Sequence, residues 1–248
     1  SGFDSIEECF GEQSQHIYAI ESGMSADPSM IWRLQEFIDG KINIVSFSDM
    51  HSFWPWRIGR EATIFDVGKL SYKEIMGAIR TGKGLSATIE TPPEYGKYHY
   101  DGHRNCDFSC SPEETEKLKG LCPVCRKSLT IGVDFRIEQI AKKPRGFKTE
   151  RSREFYSLIP LHEIIAFAYE TSLATKKSWG IYNEMIVSFG NELNILLNVS
   201  RADLTKQKLD DKLIELILLA REGKLKVKPG FDGVYGKIIM PEKQGTLF

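Results

Sequence analysis

The stretch Ile44-Val-Ser-Phe-Ser-Asp49-Met-His51-Ser52 reads as a buried strand running into Asp-x-His. Side chains alternate along a strand, so residues 49 and 51 point the same way. A carboxylate and an imidazole at a strand's C-terminal end can grip one metal ion, and active sites of barrel enzymes collect at that end. The plainer alternative is a turn in which Asp49 caps the next segment. Outward from this stretch, strands and helices alternate. Residues 4–16 pattern as a short amphipathic helix capped by Asp4, with Ile6, Cys9 and Phe10 on one face. His16 to Ile20 predicts a strand. Ser25 to Phe37 predicts a helix with Pro28 in its first turn, and Lys73 to Thr81 a helix stopped by Gly82 and Gly84. Buried strands alternating with helices predict an α/β class with a mostly parallel sheet.

After Thr91 the texture changes. Residues 91–130 carry Pro, Gly, aromatics, His and Cys with no helical or strand period. Residues 142–153, KKPRGFKTERSR, read as a basic, exposed linker. From Pro160 the chain patterns as helical, over Leu161 to Glu170, Ser178 to Phe189 and Asp210 to Glu222, and residues 224–239 as a hairpin around a glycine-rich turn. The organisation expected is 1–91, a zinc-binding module at 92–141, a linker at 142–157, a mainly helical region at 158–240 and a tail at 241–248.

Composition narrows the class. With 41% hydrophobic and 27% charged residues, the 248-residue chain is an ordinary globular one rather than a disordered one. No run approaches the roughly 18 apolar residues of a membrane span, so no membrane partner is expected. The start, SGFDSIEECFGEQ, is acidic and polar rather than a signal peptide. A net charge of −1 argues against nucleic acid until it is divided. Residues 1–70 hold 11 acids and five bases, a balance of −6; the remainder holds 23 acids and 28 bases, a balance of +5. Such asymmetry suits a chain with two jobs, although surface drift can also produce it.

There are five cysteines. An odd count without a signal peptide points to a reducing, cytoplasmic compartment rather than a disulfide framework. Cys9 reads as a small buried hydrophobe. Cys106-x3-Cys110 and Cys122-x2-Cys125 supply two thiolate pairs, the composition of a closed, four-ligand structural zinc site. His103, three residues before Cys106, is the alternative to Cys110. A segment this poor in aliphatic residues draws folding free energy from its metal.

Several strings are more specific than any pattern: AIESGMSADPSMIWRL (19–34), SDMHSFWPWRIGREA (48–62), YGKYHYDGHRNC (95–106), CPVCRKSLTIGV (122–133), FGNELNILLNV (189–199) and PGFDGVYGKI (229–238). Strand-Ser-Asp-x-His-Ser followed by Ile58-Gly59 resembles the last metal motif of the PHP (polymerase and histidinol phosphatase) superfamily. Together the strings resemble the endonuclease Q family, PHP-type DNA repair nucleases, over about residues 3–240. The resemblance implies the C-terminal part of a distorted (β/α) barrel, a zinc-ribbon-like module and a helical C-terminal domain. It implies hydrolysis of the phosphodiester 5′ to deaminated bases (uracil, hypoxanthine, xanthine) or abasic sites, with divalent ions such as Mg, Mn or Zn. Asp49 and His51 match its final metal motif. The chain departs from the family at one point: its five histidines, 16, 51, 99, 103 and 162, contain no His-x-His. Two ligands cannot build a multinuclear site, so the expectation is the C-terminal portion of such an enzyme, inactive by itself. A PHP phosphatase of small esters and a non-catalytic zinc module that binds nucleic acid are the alternatives.

Candidate contacts with damaged DNA follow. Phe53-Trp-Pro-Trp56-Arg57 sets aromatics beside a cation, and Arg57 and Arg60 suit phosphate. Lys97, Tyr98, Tyr100 and Arg104 mix rings with charge and could face an extruded nucleotide. Phe231, Tyr235 and Lys237 sit in a turn whose glycines permit close backbone approach to a ligand. Packing on neighbours is the alternative in each case. The basic run Lys142, Lys143, Arg145, Lys148, Arg151 and Arg153 could track a phosphate backbone. The tail's Gln244, Leu247 and Phe248 resemble the sliding-clamp-binding peptides of repair enzymes.

Overall fold

Short apolar runs punctuated by capping side chains set the element order of the first ninety residues. The computed structural model describes residues 3–239. Ser5, not Asp4, caps α1 (Ile6–Phe10), its hydroxyl accepting the Glu8 amide. A 3-10 turn, Gly11–His16, follows, so His16 ends a helix and strand β1 is Ala19–Glu21. Helix α1 buries none of its residues, so Cys9 is exposed rather than buried. Asp27 caps α2 (Pro28–Ile31), and its carboxylate accepts the Met30 amide. The single helix expected to Phe37 is broken at the extended Leu34, after which α3 (Gln35–Ile38) restarts. Strand β2 (Asn43–Val45) lies parallel to β1.

Strand β3 (Ala62–Phe65), helix α4 (Tyr72–Thr81) and strand β4 (Leu85–Glu90) come next. Gly82 ends α4 in the left-handed region at φ 75, as its position after the last helical residue predicts. The middle segment is not featureless. It holds an antiparallel pair, β5 (Asp101–His103) and β6 (Phe108–Cys110), then α5 (Pro112–Lys117) and α6 (Val133–Ile140). Its buried apolar core is small: Cys110, Cys122 and Leu129, flanked by Cys106, Phe108 and Leu118.

Strand β7 (Glu154–Ser157) lies inside the segment read as a linker. It pairs parallel with β4, whose other edge pairs antiparallel with β3. The parallel expectation therefore holds for β1–β2 and β4–β7 and fails for β3–β4. The basic run before β7 is docked, not free. Arg33 donates to the Lys143 carbonyl and receives the Lys142 amide. Arg151 and Arg153 donate to the carbonyls of Gly40 and Gly82, just past α3 and α4, where helix ends leave acceptors unpaired. Composition shows these positive charges; only the fold shows the carbonyls that consume them.

The remainder is helical: α7 (Leu161–Ala168), α8 (Lys176–Phe189), α9 (Glu192–Leu197), α10 (Arg201–Lys206) and α11 (Asp211–Arg221). Strands β8 (Val227–Lys228) and β9 (Lys237–Ile238) close the expected hairpin. The main core crosses residue 158: Ile89 of β4 joins Leu158, Ile159, Ile164, Met185, Ile195, Leu213 and Ile217 in one buried cluster. No helix among the described residues is long and apolar enough to cross a membrane.

Arg33 ties the first segment to α6. Its guanidinium, 5% exposed, makes two 2.7 Å bonds to the Glu138 carboxylate. Arg33→Ala is expected to lower the unfolding free energy by on the order of 3 kcal/mol, the cost of breaking a buried pair. Urea denaturation measures this, and a loss below about 0.5 kcal/mol, typical of a surface pair, would refute the tie.

Candidate metal centre and nucleic-acid interface

Strand β2 stops at Val45, before the Asp-x-His pair. Side chains then replace the ladder. The Ser46 amide donates to Thr63 Oγ1, and the Thr63 hydroxyl donates to the Ser46 carbonyl, both at 2.9 Å. Ser48 Oγ accepts the Gly59 amide at 2.7 Å and donates to the Glu61 carbonyl at 3.2 Å. Arg60 donates to the carbonyls of Ser48 and Asp49. Asp49 takes φ 42, a left-handed turn. Its Oδ2 lies 3.2 Å from His51 Nε2, and both side chains are exposed. The pair thus meets through a braced turn rather than strand alternation. Arg60, only 8% exposed, braces that turn and is not placed to meet a phosphate. The string alone does not reveal that its partners are two nearby carbonyls.

Under this loop lie two carboxyls that sequence reasoning missed. Glu90 is fully buried; its Oε2 accepts the hydroxyls of Ser22 at 2.7 Å and Ser46 at 3.0 Å. Burial pushes its pKa up from 4.5 to about 7, with the Glu61 charge adding to the rise and Thr88, Ser22 and Ser46 opposing it. Glu61, 1% exposed, is also raised by burial, while Thr91 holds its Oε1. Burial and the Asp49 charge raise Glu21 at the same end. The available signal was an acid closing an otherwise uncharged strand, Leu85-Ser-Ala-Thr-Ile-Glu90.

Beyond His51 the rings stack. Phe53 lies 4.8 Å from Trp54, Trp54 4.5 Å from Trp56, and Trp56 4.9 Å from His162. His162, buried at the start of α7, donates to the Leu173 carbonyl at 2.5 Å and meets Trp179 of α8 edge-on. Trp56 is buried, so it packs the loop onto the helices as the packing alternative required. Arg57 faces Glu163 at 3.7 Å and the Tyr235 ring at 5.9 Å, so its charge is partly answered within the chain.

The glycine-rich turn is a lock on the middle segment. The amides of Gly230, Gly233 and Gly236 donate to the carbonyls of Glu94, Lys97 and Tyr95, and the Tyr100 amide donates to the Gly230 carbonyl. Asp232 accepts the Arg104 amide at 2.7 Å and the Thr130 hydroxyl at 2.8 Å. Phe231, 4% exposed, fills the space over Gly102, where any side chain would strike it. The close approach that glycine permits is made to the chain's own backbone, so Phe231 is core and not a DNA contact. Tyr100 is half-buried and stacks on His99. The lock leaves Tyr98 (44% exposed) and Tyr235 (41%) at the surface, with Lys97 Nζ 5.4 Å and 5.8 Å from their ring centroids. Arg104 and Lys237 are exposed as well. Gln244, Leu247 and Phe248 lie outside the described residues.

The donor atoms of His103, Cys106, Cys122 and Cys125 lie within 4.8 Å of one another and could hold one metal ion. Cys110 stands apart. It is 3% exposed, its sulfur 3.2 Å from the Thr115 hydroxyl. Register explains this: Cys110 pairs with the buried Asp101, and His103, two residues further along β5, pairs with Phe108. The four-cysteine expectation is therefore corrected to the His103 alternative. The matching intervals His103-x2-Cys106 and Cys122-x2-Cys125 carried that signal.

Residues 160–224 match the family model of the MJ0043 C-terminal domain. The chain is 32% identical to MJ0043 of Methanocaldococcus jannaschii over 247 residues, covering 97% of this chain and 30% of that protein. It is 28% identical to YqxK of Bacillus subtilis over 225 residues, 90% of this chain and 52% of that protein. Among solved structures, the lesion-specific endonuclease PfuEndoQ from Pyrococcus furiosus superposes with a TM-score of 0.84 at 29% identity, covering 97% of this chain and 59% of that one. The chain has the endonuclease Q fold. A second endonuclease Q structure, bound to a 27-mer duplex with an abasic lesion at its active site, gives a TM-score of 0.85 at 28% identity, with 97% and 60% covered. The chain thus spans about a third to a half of the curated relatives it matches and about 60% of the endonuclease Q chains.

Two expectations follow. His103→Ala should lower bound metal per chain, read by elemental analysis, whereas Cys110→Ser should retain it; the reverse pattern would restore the four-cysteine set. For Glu90, the unfolded carboxyl loses its proton near 4.5 and the folded one only near 7. Its contribution is therefore fully present at low pH and is lost as pH rises between those values. Glu90→Gln should flatten that slope, worth on the order of 3 kcal/mol, in denaturation curves across the window.

Proposed function

We propose that this chain is the lesion-binding and metal-bearing part of a DNA repair endonuclease of the endonuclease Q type, which cuts 5′ to deaminated bases or abasic sites. The observation that carries this reading is the match to an endonuclease Q bound to abasic duplex DNA. The arrangement of side chains supports it. Arg104 and Lys237 are exposed cations for phosphates, the half-buried Lys97 lies beside them over the Tyr98 and Tyr235 rings, and those two rings are exposed for bases.

Asp49 and His51 would hold a divalent ion such as Mg, Mn or Zn. Such an ion, when bound, activates water and stabilises charge on the reacting phosphate. Arg60 and Ser48 fix the turn that presents the two donors. Two donors do not complete a catalytic coordination shell, so these residues by themselves bind lesion DNA without cutting it. The His103, Cys106, Cys122 and Cys125 set has the soft donors and the closed count of a structural zinc site. That zinc supplies the stability that the small core of the middle segment lacks. The tail residues Gln244, Leu247 and Phe248 are the proposed contact with a sliding clamp.

The test is binding of uracil-containing and abasic duplexes across a salt series, followed by cleavage after adding an N-terminal endonuclease Q segment that carries His-x-His. Binding without cleavage, then incision 5′ to the lesion on complementation, is expected. Cleavage of small phosphate esters instead would overturn the reading. Substituting Lys97 and Arg104 together by Ala should weaken binding to all duplexes alike and reduce the salt slope by about one per lost phosphate contact.

A further inference from the structure

We infer that the exposed Phe53 ring is the stacking platform for one unpaired nucleobase of the bound DNA. This rests on the DNA-endonuclease reading of the same face and assigns it a contact residue. The argument begins at the buried end of the ring stack. His162 is fully buried, its Nε2 proton tied to the Leu173 carbonyl, and Trp179 and Tyr182 of α8 pack around it. Trp56, 6% exposed, lies on His162 with 27° between the planes. Trp54 lies on Trp56 at 15° and Phe53 on Trp54 at 29°. Each ring is oriented by the one beneath it, and the lowest is fixed in the helical core.

The outer end is open. Phe53 is 81% exposed, a large apolar ring left in water at the end of an ordered stack. The next place in such a stack suits a flat aromatic group, because offset stacking is the arrangement these rings favour. Phe53 is two residues from His51, so a base seated on it lies close to the phosphate that the Asp49–His51 pair would meet. The chain continues from the stack into Arg57, whose guanidinium lies 5.9 Å from the Tyr235 ring centroid, and Lys97 Nζ lies 5.8 Å from the same centroid. An aromatic stack whose chain runs directly into a cation has the chemistry that holds unstacked nucleic acid. A greasy protein partner would be served equally well by aliphatic residues and would gain nothing from that cation.

The experiment uses the full chain and a uracil-containing duplex with 2-aminopurine placed in turn at each neighbour of the lesion and opposite it. Wild-type protein should quench 2-aminopurine at one of these positions on binding. Phe53→Ala should abolish that quench and weaken binding roughly tenfold, the scale of losing one aromatic–base stack. The salt slope should stay unchanged, because no phosphate contact is removed. Phe53→Trp should restore both quench and affinity. Since the ring is exposed, the thermal midpoint of Phe53→Ala should match wild type, and this separates a lost contact from misfolding. Wild-type-like affinity and emission in Phe53→Ala would overturn the inference and assign the ring to a protein contact. Failure of the wild-type chain to bind the duplex at all would overturn the DNA reading, and this inference with it.

Discussion

The first ninety residues depend on one buried carboxylate. Strands β1 and β2 form one small sheet and β3, β4 and β7 another, and among the described residues no ladder joins the two. Glu90, at the end of β4, accepts hydroxyls from Ser22, just past β1, and from Ser46, just past β2. Thr63 of β3 closes the same gap through both backbone groups of Ser46. Side-chain polar groups do here what backbone ladders do within a sheet. A buried network of this kind specifies one arrangement because each unmade bond would leave a desolvated polar atom.

The Asp49–His51 turn inherits its position from that bridge. Two residues, Phe47 and Ser48, separate Ser46 from Asp49; Arg60 donates to the carbonyls of Ser48 and Asp49, and the Ser48 hydroxyl donates to that of Glu61. The brace thus fixes the geometry of the pair within the fold itself. The aromatic stack then fastens the far side of the loop to α7 and α8. Two unlike interactions thus hold the same loop: a polar network on one flank and ring packing on the other.

The charge asymmetry takes on a narrower meaning. The basic second half is not one continuous phosphate track. Arg145 pairs with Asp134 and Glu138, and Arg151 and Arg153 satisfy carbonyls beyond helix ends. Arg33 and Arg60 are buried in structural roles. Lys97 instead lies over the Tyr98 and Tyr235 rings, where the glycine-rich turn locks the hairpin to the middle segment.

The sequence by itself determined whatever is local. Capping residues and glycines placed α2 and α4, apolar periodicity placed α7, α8 and α11, and paired Cys spacing located the metal cluster. The strings carried the endonuclease Q resemblance, because motifs of that length have few accidental matches. Tertiary structure decided everything that depends on which partner lies opposite. It put Cys110 into the core and His103 into the cluster through the β5–β6 register. It turned Phe231 inward, spent Arg60 on two carbonyls and made a strand of the supposed linker. It also buried Glu61 and Glu90, where burial raises the proton affinity of both and the Glu61 charge adds to that of Glu90. The physical reason is the same in each case: residue type sets what a side chain can bond, but long-range register and burial set what is there to be bonded.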